Sequence, residues 1–382
     1  MLRFTQKKTL ATRITAFAIL MIFLASAGCR STAHTSGVSG LPLLGGDSGG
    51  GGLSSGDGGM DPGSGNPSSG APRADVTPND PKFSGQYGLL GSNQADIGAP
   101  GAWAYNTDCS AITVGVLDTG VDYTHPDLKD NLVGKGYNMI SGAADAMDDF
   151  YHGTHCAGII GASGNNGRGV TGICWKARIV AIKWIAANGS GVTSDAIKGI
   201  DKAREVGVKV LNNSWKDIER TELNPLLRDA VDRANEAGML FVASAANDHK
   251  DNDQNPNWPS NISLPNVIAV ASTDESGGKS SFSNWGLNSV HIAAPGSDIL
   301  STLPQVATGM MGSVPTSYGQ LSGTSMAGPM VAGAAALYWS VHPTLTAIQV
   351  RQHLLDTATK VDSLANYVQG GRFLNAKAMF TK

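Results

Sequence analysis

Val114-Gly115-Val116-Leu117-Asp118-Thr119-Gly120-Val121-Asp122 is an apolar run that stops on a carboxylate and a glycine turn. With almost no polar alternation, Ile112–Leu117 reads as a strand buried on both faces, as strands of a parallel sheet are. Runs of the same character recur at Ile179–Ile185, Val208–Leu211, Met239–Ala243, Val267–Ala271 and Val290–Ala293. Helical patterns at Ser194–Val206, Leu226–Ala237 and Ala347–Ala358 supply right-handed crossovers. The expected architecture is therefore α/β in three layers, a mainly parallel central sheet flanked by helices. In such sheets reacting groups gather at the carboxyl ends of strands, where Asp118 stands.

Asp118 closes a buried strand and needs hydrogen-bond partners, which either a histidine or a local turn would supply. The stretch Asp148–Ile160 (DDFYHGTHCAGII) reads as a helix opening on His152, with His155 one turn further inside. A His-x-x-His pair also suggests metal, but no third ligand follows at zinc-like spacing. Leu321–Pro329 (LSGTSMAGP) places Ser325 at the start of the Ala- and Gly-rich helix Met326–Leu337. Unpaired N–H groups and the helix dipole favour negative charge there, as attack on a carbonyl requires. Taken alone, Ser325 also reads as an N-cap, and Asn247 at the end of Phe241–Ala246 as a turn residue.

In chain order these residues run Asp118, His152, Ser325, which is the order of subtilisin. DTGVDYTHPDL, HGTHCAGI and GTSMAGPMVAG resemble the three signature blocks of the subtilisin-like serine peptidases, and the match spans about residue 78 to the C-terminus. Pro78–Pro81, Ala99–Trp103 and HGTHCAG are most similar to the thermitase-like branch. The resemblance implies a subtilisin-like fold and assigns Ser325 as nucleophile, His152 as base, Asp118 as its orienting carboxylate and Asn247 as oxyanion donor. It further implies that Ser214, Trp215 and Lys216, with Ser244, Ala245 and Ala246, pair with an extended peptide substrate. Lys216 and Ala246 both stand where the family generally has Gly. Asp248 falls on the rim of the expected primary pocket, opposite Lys216. A pair between them, worth about 0–1 kcal/mol, would narrow the entrance without closing it.

The resemblance also implies structural Ca²⁺. Asp127, the Asn166 side chain, the carbonyls of Gly164, Arg168 and Val170, and Asp80 would form an oxygen cage. The same Gly/Asn-rich loop would otherwise be a turn without metal.

Arg3, Lys7, Lys8 and Arg13 precede the apolar Ala16–Leu24, the pattern of a bacterial export signal too short to span a membrane. Ala25-Ser26-Ala27 fits ordinary signal peptidase, while Ser26-Ala27-Gly28-Cys29 approximates a lipobox. Residues 1–28 are thus read as a signal peptide, 29–77 as a Gly/Ser-rich tether and 78–382 as the catalytic domain. Lipidated Cys29 would attach the protein to the cell envelope, whereas without it the protein would be secreted. Cys109 and Cys174, each upstream of strands expected to be neighbours, are expected to form a disulfide in an oxidising compartment. Cys156 lies on the apolar His152 helix and reads as a buried thiol. A net charge of -3 over 382 residues, with no dense basic block, excludes nucleic acid as a partner. The leading reading is an exported, monomeric serine endopeptidase acting on polypeptides. A non-catalytic binding module of the same fold and an esterase with the same triad are the alternatives.

Overall fold

The protein is described from a computed structural model, which places residues 18–20, 73–91, 95–217, 222–305 and 317–382, all within one compact unit. Cys29, and nearly all of the segments read as signal and tether, lie outside the described residues.

Nine strands form the main sheet: β1 (Asp108–Asp118), β2 (Tyr137–Asn138), β3 (Lys176–Lys183), β4 (Val210–Asn213), β5 (Leu240–Ser244), β6 (Val267–Thr273), β7 (Ile292–Pro295), β8 (Thr359–Lys360) and β9 (Arg372–Phe373). Their spatial order is β8-β9-β7-β6-β5-β4-β1-β3-β2, parallel throughout except for β8 against β9. The helices are α1 (Ala99–Trp103), α2 (His152–Gly161), α3 (Thr193–Glu205), α4 (Pro225–Glu236), α5 (Thr324–Val341), α6 (Ala347–Thr357) and α7 (Ala378–Thr381). This is the expected mainly parallel α/β sheet between helices.

Each main strand coincides with an apolar run, and the boundaries shift where polar residues take part in pairing. β1 begins four residues before Ile112, because Asp108 pairs with Lys176 ahead of a register shift at Thr113. Cys109 therefore lies inside β1 rather than upstream of it. It is bonded to Cys174, with the Cα atoms 5.6 Å apart. The two-residue strands β2, β8 and β9 carry no periodicity and have no signature in sequence.

Alternate β1 residues serve opposite layers. Val114 and Val116 join one apolar cluster with Ile160 of α2 and with Met326, Val331 and Leu337 of α5, while α3 packs on β1 and β3 and against α4. Helix α5 is buried from Thr324 to Trp339, so it has no polar stripe and forms the spine of its layer. At the surface, caps set the starts: Asn224 Oδ1 accepts from Leu226 N at 3.0 Å ahead of Pro225, and Thr346 and Gln349 form a reciprocal capping box for α6.

The order of strands positions the site. From β1 the chain passes to β3 on one side and then crosses back to β4 on the other. The crevice created by that reversal opens at the carboxyl ends of β1 and β4, beside Asp118 and Ser214.

Candidate active site

Asp118 ends β1 fully buried, and His152 opens α2 fully buried beside it. His152 Nδ1 lies 2.7 Å from Asp118 Oδ1 and 2.9 Å from Oδ2, and Thr119 N–H donates to the same Oδ1 at 2.7 Å. Asp118 thus orients a histidine and caps its own turn. Burial opposes charge on the ring, but the facing Asp118 carboxylate, which also accepts its hydrogen bond, holds the imidazole well above its usual pKa.

The turn after Asp118 is stitched to the start of α2. Thr119 Oγ1 donates to Asp148 at 2.9 Å and accepts from Gly153 N at 2.9 Å, and Asp148 also accepts from Thr154 N and Oγ1. A Cβ at position 153 would lie 2.0 Å from the Gly120 carbonyl oxygen, so this junction needs glycine. His155 turns inward to the Gly319 carbonyl at 3.1 Å, and burial lowers its pKa to about 3, leaving it neutral. Cys156 Sγ sits 4.0 Å from His152 Nδ1, and burial raises its pKa and keeps it a thiol. Asp118, His152 and Cys156 cluster closely enough to suggest a metal. Here, however, Nδ1 is committed to the carboxylate and the sulfur is protonated, which is not how a metal is held.

Ser325 stands in the first turn of α5, where N–H groups have no intrahelical acceptor. Its Oγ donates to the Ser214 carbonyl at 3.2 Å. Its own carbonyl is free of the helix ladder because Pro329, four residues on, has no N–H. That carbonyl is taken by Ser214 Oγ at 2.9 Å and Cys156 Sγ at 3.4 Å. One proline thereby ties the nucleophile candidate to both the segment after β4 and α2. Asn247 Oδ1 accepts from Thr324 N at 2.8 Å and Thr324 Oγ1 at 2.9 Å. A backbone N–H can only donate, so the amide's orientation is fixed and Nδ2 faces the Gly323–Ser325 turn.

The two segments that follow β4 and β5 flank this group. Lys216 Nζ reaches both Asp248 oxygens, at 2.6 and 2.5 Å, and so bridges the segments. Trp215 is buried against Trp184, with ring centroids 4.8 Å apart. Ala246 has φ 84°, the left-handed region in which glycine is at ease.

The family model described as the subtilase family matches residues 110–371. The chain belongs to the subtilase family. Thermitase of Thermoactinomyces vulgaris is 39% identical over 304 residues, 79% of this chain and 99% of that protein. Subtilisin Savinase of Lederbergia lenta is 37% identical over 286 residues, 74% of this chain and 95% of its own length. A solved protease from Pseudoalteromonas arctica superposes with TM-score 0.69 at 30% identity, covering 80% of this chain and 98% of its own. This subtilase is a serine peptidase, and its substrates are polypeptides.

Elsewhere in the subtilase, Asp80 accepts from Asn165 N at 2.7 Å and Asn166 N at 3.2 Å, while Asp127 accepts from Asn166 Nδ2 at 2.7 Å and Val170 N at 3.1 Å. The loop from Gly164 to Val170 is thus gathered around two buried carboxylates. Desolvation raises the Asp127 pKa despite the hydrogen bonds from Asn166, Val170 and Tyr318.

Three features of the subtilase's crevice have no counterpart in the sequence reading. Ser190–Val192, beside the end of β3, pairs antiparallel with Ala18–Leu20. Asn188-Gly189 before it was a turn signal that would have marked this edge. The Thr119–Asp148 link and the buried Lys183 escaped because each depends on partners distant in sequence. Among the described residues, no helix is long and apolar enough to cross a membrane.

Proposed function

We propose that this subtilase is an exported serine endopeptidase in which Ser325 attacks the scissile carbonyl and His152 accepts the proton and returns it to the leaving amine. The observation that carries this reading is the buried Asp118–His152 pair at 2.7 Å, beside a serine at the start of a helix. With Nδ1–H given to Asp118, Nε2 is left as the basic nitrogen, and Asp118 stabilises the imidazolium as it forms. For the reaction Ser325 Oγ, now donating to the Ser214 carbonyl, would give its proton to that nitrogen instead. Asn247 Nδ2 and the Ser325 N–H receive the developing oxyanion, and one such donor is worth about 3–4 kcal/mol in the transition state. An extended peptide would lie along Ser214–Lys216 and Ser244–Ala246. The antiparallel pairing of Ser190–Val192 with Ala18–Leu20 supports strand addition as a mode of binding beside the crevice.

The loop site is proposed to hold structural Ca²⁺. Two buried carboxylates, one of them raised in pKa by desolvation, form an oxygen-rich set suited to a hard divalent cation. Asp80, Asp127 and the carbonyls of Gly164, Arg168 and Val170 would hold it. Asn166, whose Nδ2 now faces Asp127, would turn its amide over to offer oxygen. The ion would supply charge compensation to the loop and no chemistry.

Export through residues 1–28 and attachment at Cys29 complete the proposal, and the mass of the mature N-terminus reports on both. The catalytic reading is tested by comparing turnover of a peptide amide with that of a simple ester. Efficient amide hydrolysis supports it, while ester turnover without amide turnover selects the esterase.

A further inference from the structure

Lys183, the last residue of β3, is only 3% exposed, a rare position for an ammonium group. Its Nζ donates to the Thr119 carbonyl at 2.6 Å, the Asp149 carboxylate at 2.6 Å and the Ile185 carbonyl at 2.8 Å. An ammonium has three N–H donors, and here each meets an oxygen. If filling volume were the only need, an apolar side chain of similar size would do so without the desolvation cost of a buried charge.

The three acceptors belong to separate parts of the crevice. Thr119 follows Asp118 directly. Asp149 lies on the approach to His152. Ile185 leads to the Ser190–Val192 edge, bridging to Gly191, and its N–H together with that of Trp184 donates to the Asp118 carbonyl at 3.3 and 3.0 Å. Lys183 also faces Asp118 in the register of β1 against β3.

We propose that Lys183 is a positioning residue, whose buried ammonium locks the Asp118 turn, the His152 approach and the Ile185 edge together and brings positive charge to bear on the Asp118–His152 pair. The inference rests on reading that pair as the working one. The other titratable groups that act on His152 are Asp118 from β1, Cys156 and His155 from its own helix, and Tyr151 from the approach, with Asp148 acting on Tyr151 in turn. Ser214, just after β4, and Ser325 of α5 join the group through Cys156 and do not titrate in this range. Removing the ammonium takes away charge that opposes protonation of His152, so the acid limb of kcat/KM should move to higher pH. Neutralising Asp149 removes negative charge, and the limb should move to lower pH.

The test compares full-length Lys183→Met and Asp149→Asn with the wild type on a peptide amide, with Ser325→Ala alongside. Loosening the pair by a fraction of an ångström should lower kcat about 10–100-fold in Lys183→Met with KM little changed, and the two acid limbs should move in opposite directions. A purely structural lysine would lower the melting temperature and leave kcat and the acid limb in place, which would overturn the proposal. If Lys183→Met does not fold, Asp149→Asn decides, since that side chain is 45% exposed and its replacement should be tolerated. An unmoved limb and normal kcat in that variant would overturn the proposal as well. Amide turnover by Ser325→Ala would instead bring down the underlying reading of the site, and this inference with it.

Discussion

Ala246 holds φ 84° immediately before Asn247, and a Cβ in the left-handed region costs about 1–2 kcal/mol. Part of that is offset by the extra freedom glycine would have when unfolded. Ala246→Gly is therefore expected to raise stability by about 0.5 kcal/mol, seen as a higher urea midpoint; a lower midpoint would mean that the methyl packs productively. His152 gives a second expectation at this scale. Its pKa lies above 6.5 because Asp118 outweighs the opposing desolvation, and only the neutral ring accepts a proton. Activity should rise with pH through an acid limb above pH 6.5, and a limb below it in kcat/KM would contradict the assignment. Asp118, His152, Ser325 and Asn247 were singled out in sequence by the resemblance of their segments to the subtilisin-like peptidases, since position at the end of a run or helix alone left Ser325 a cap and Asn247 a turn residue. Lys183 was not, since one lysine in an apolar run looks like a side chain snorkelling from an edge until its three acceptors are seen.

Between elements, the Lys216–Asp248 bridge spans the segments after β4 and β5, with the two side chains 23% and 37% exposed. Water and salt screen such a pair, leaving about 0–1 kcal/mol. Peptide-library profiling should show broad cleavage after large or apolar residues, with at most a small bonus for Lys or Arg that fades with salt. Lys216→Gly should widen acceptance. A strong acidic preference, or a basic preference indifferent to salt, would mean the pocket walls lie elsewhere. The loop from Gly164 to Val170 makes a separate prediction: an ion bound only by the native state stabilises it by mass action, so excess chelator should lower the melting temperature. An unchanged melt, with no calcium in metal analysis, would remove the ion. The loop from Gly164 to Val170 was marked in sequence by its Gly/Asn composition, and the Lys216–Asp248 pair by the resemblance that sets the two residues on opposite rims. The sequence did not show that Asn166 turns its amide nitrogen to Asp127, because that orientation depends on Arg168 N–H donating to Asn166 Oδ1 at 2.8 Å.

The α/β class and the mainly parallel sheet were legible from strand character, since long apolar runs interleaved with helices leave few topologies, whereas the subtilisin-like form came from the three signature blocks. The short strands β2, β8 and β9 and the early start of β1 were not, because they are held by pairing and by the bond between Cys109 and Cys174. That link closes 65 residues, including β2 and α2, and by loop entropy should stabilise the native state by about 4 kcal/mol. Cys109→Ser/Cys174→Ser should lower the melting temperature while leaving turnover at low temperature largely intact. The central claim, that these layers bring Asp118, His152 and Ser325 together as one catalytic unit, is tested most directly by fluorophosphonate labelling followed by peptide mass mapping. A single adduct on Ser325 is expected, formed rapidly in the wild type and slowed by orders of magnitude in His152→Ala. An adduct on another residue, or labelling of Ser325 at an undiminished rate without His152, would contradict it.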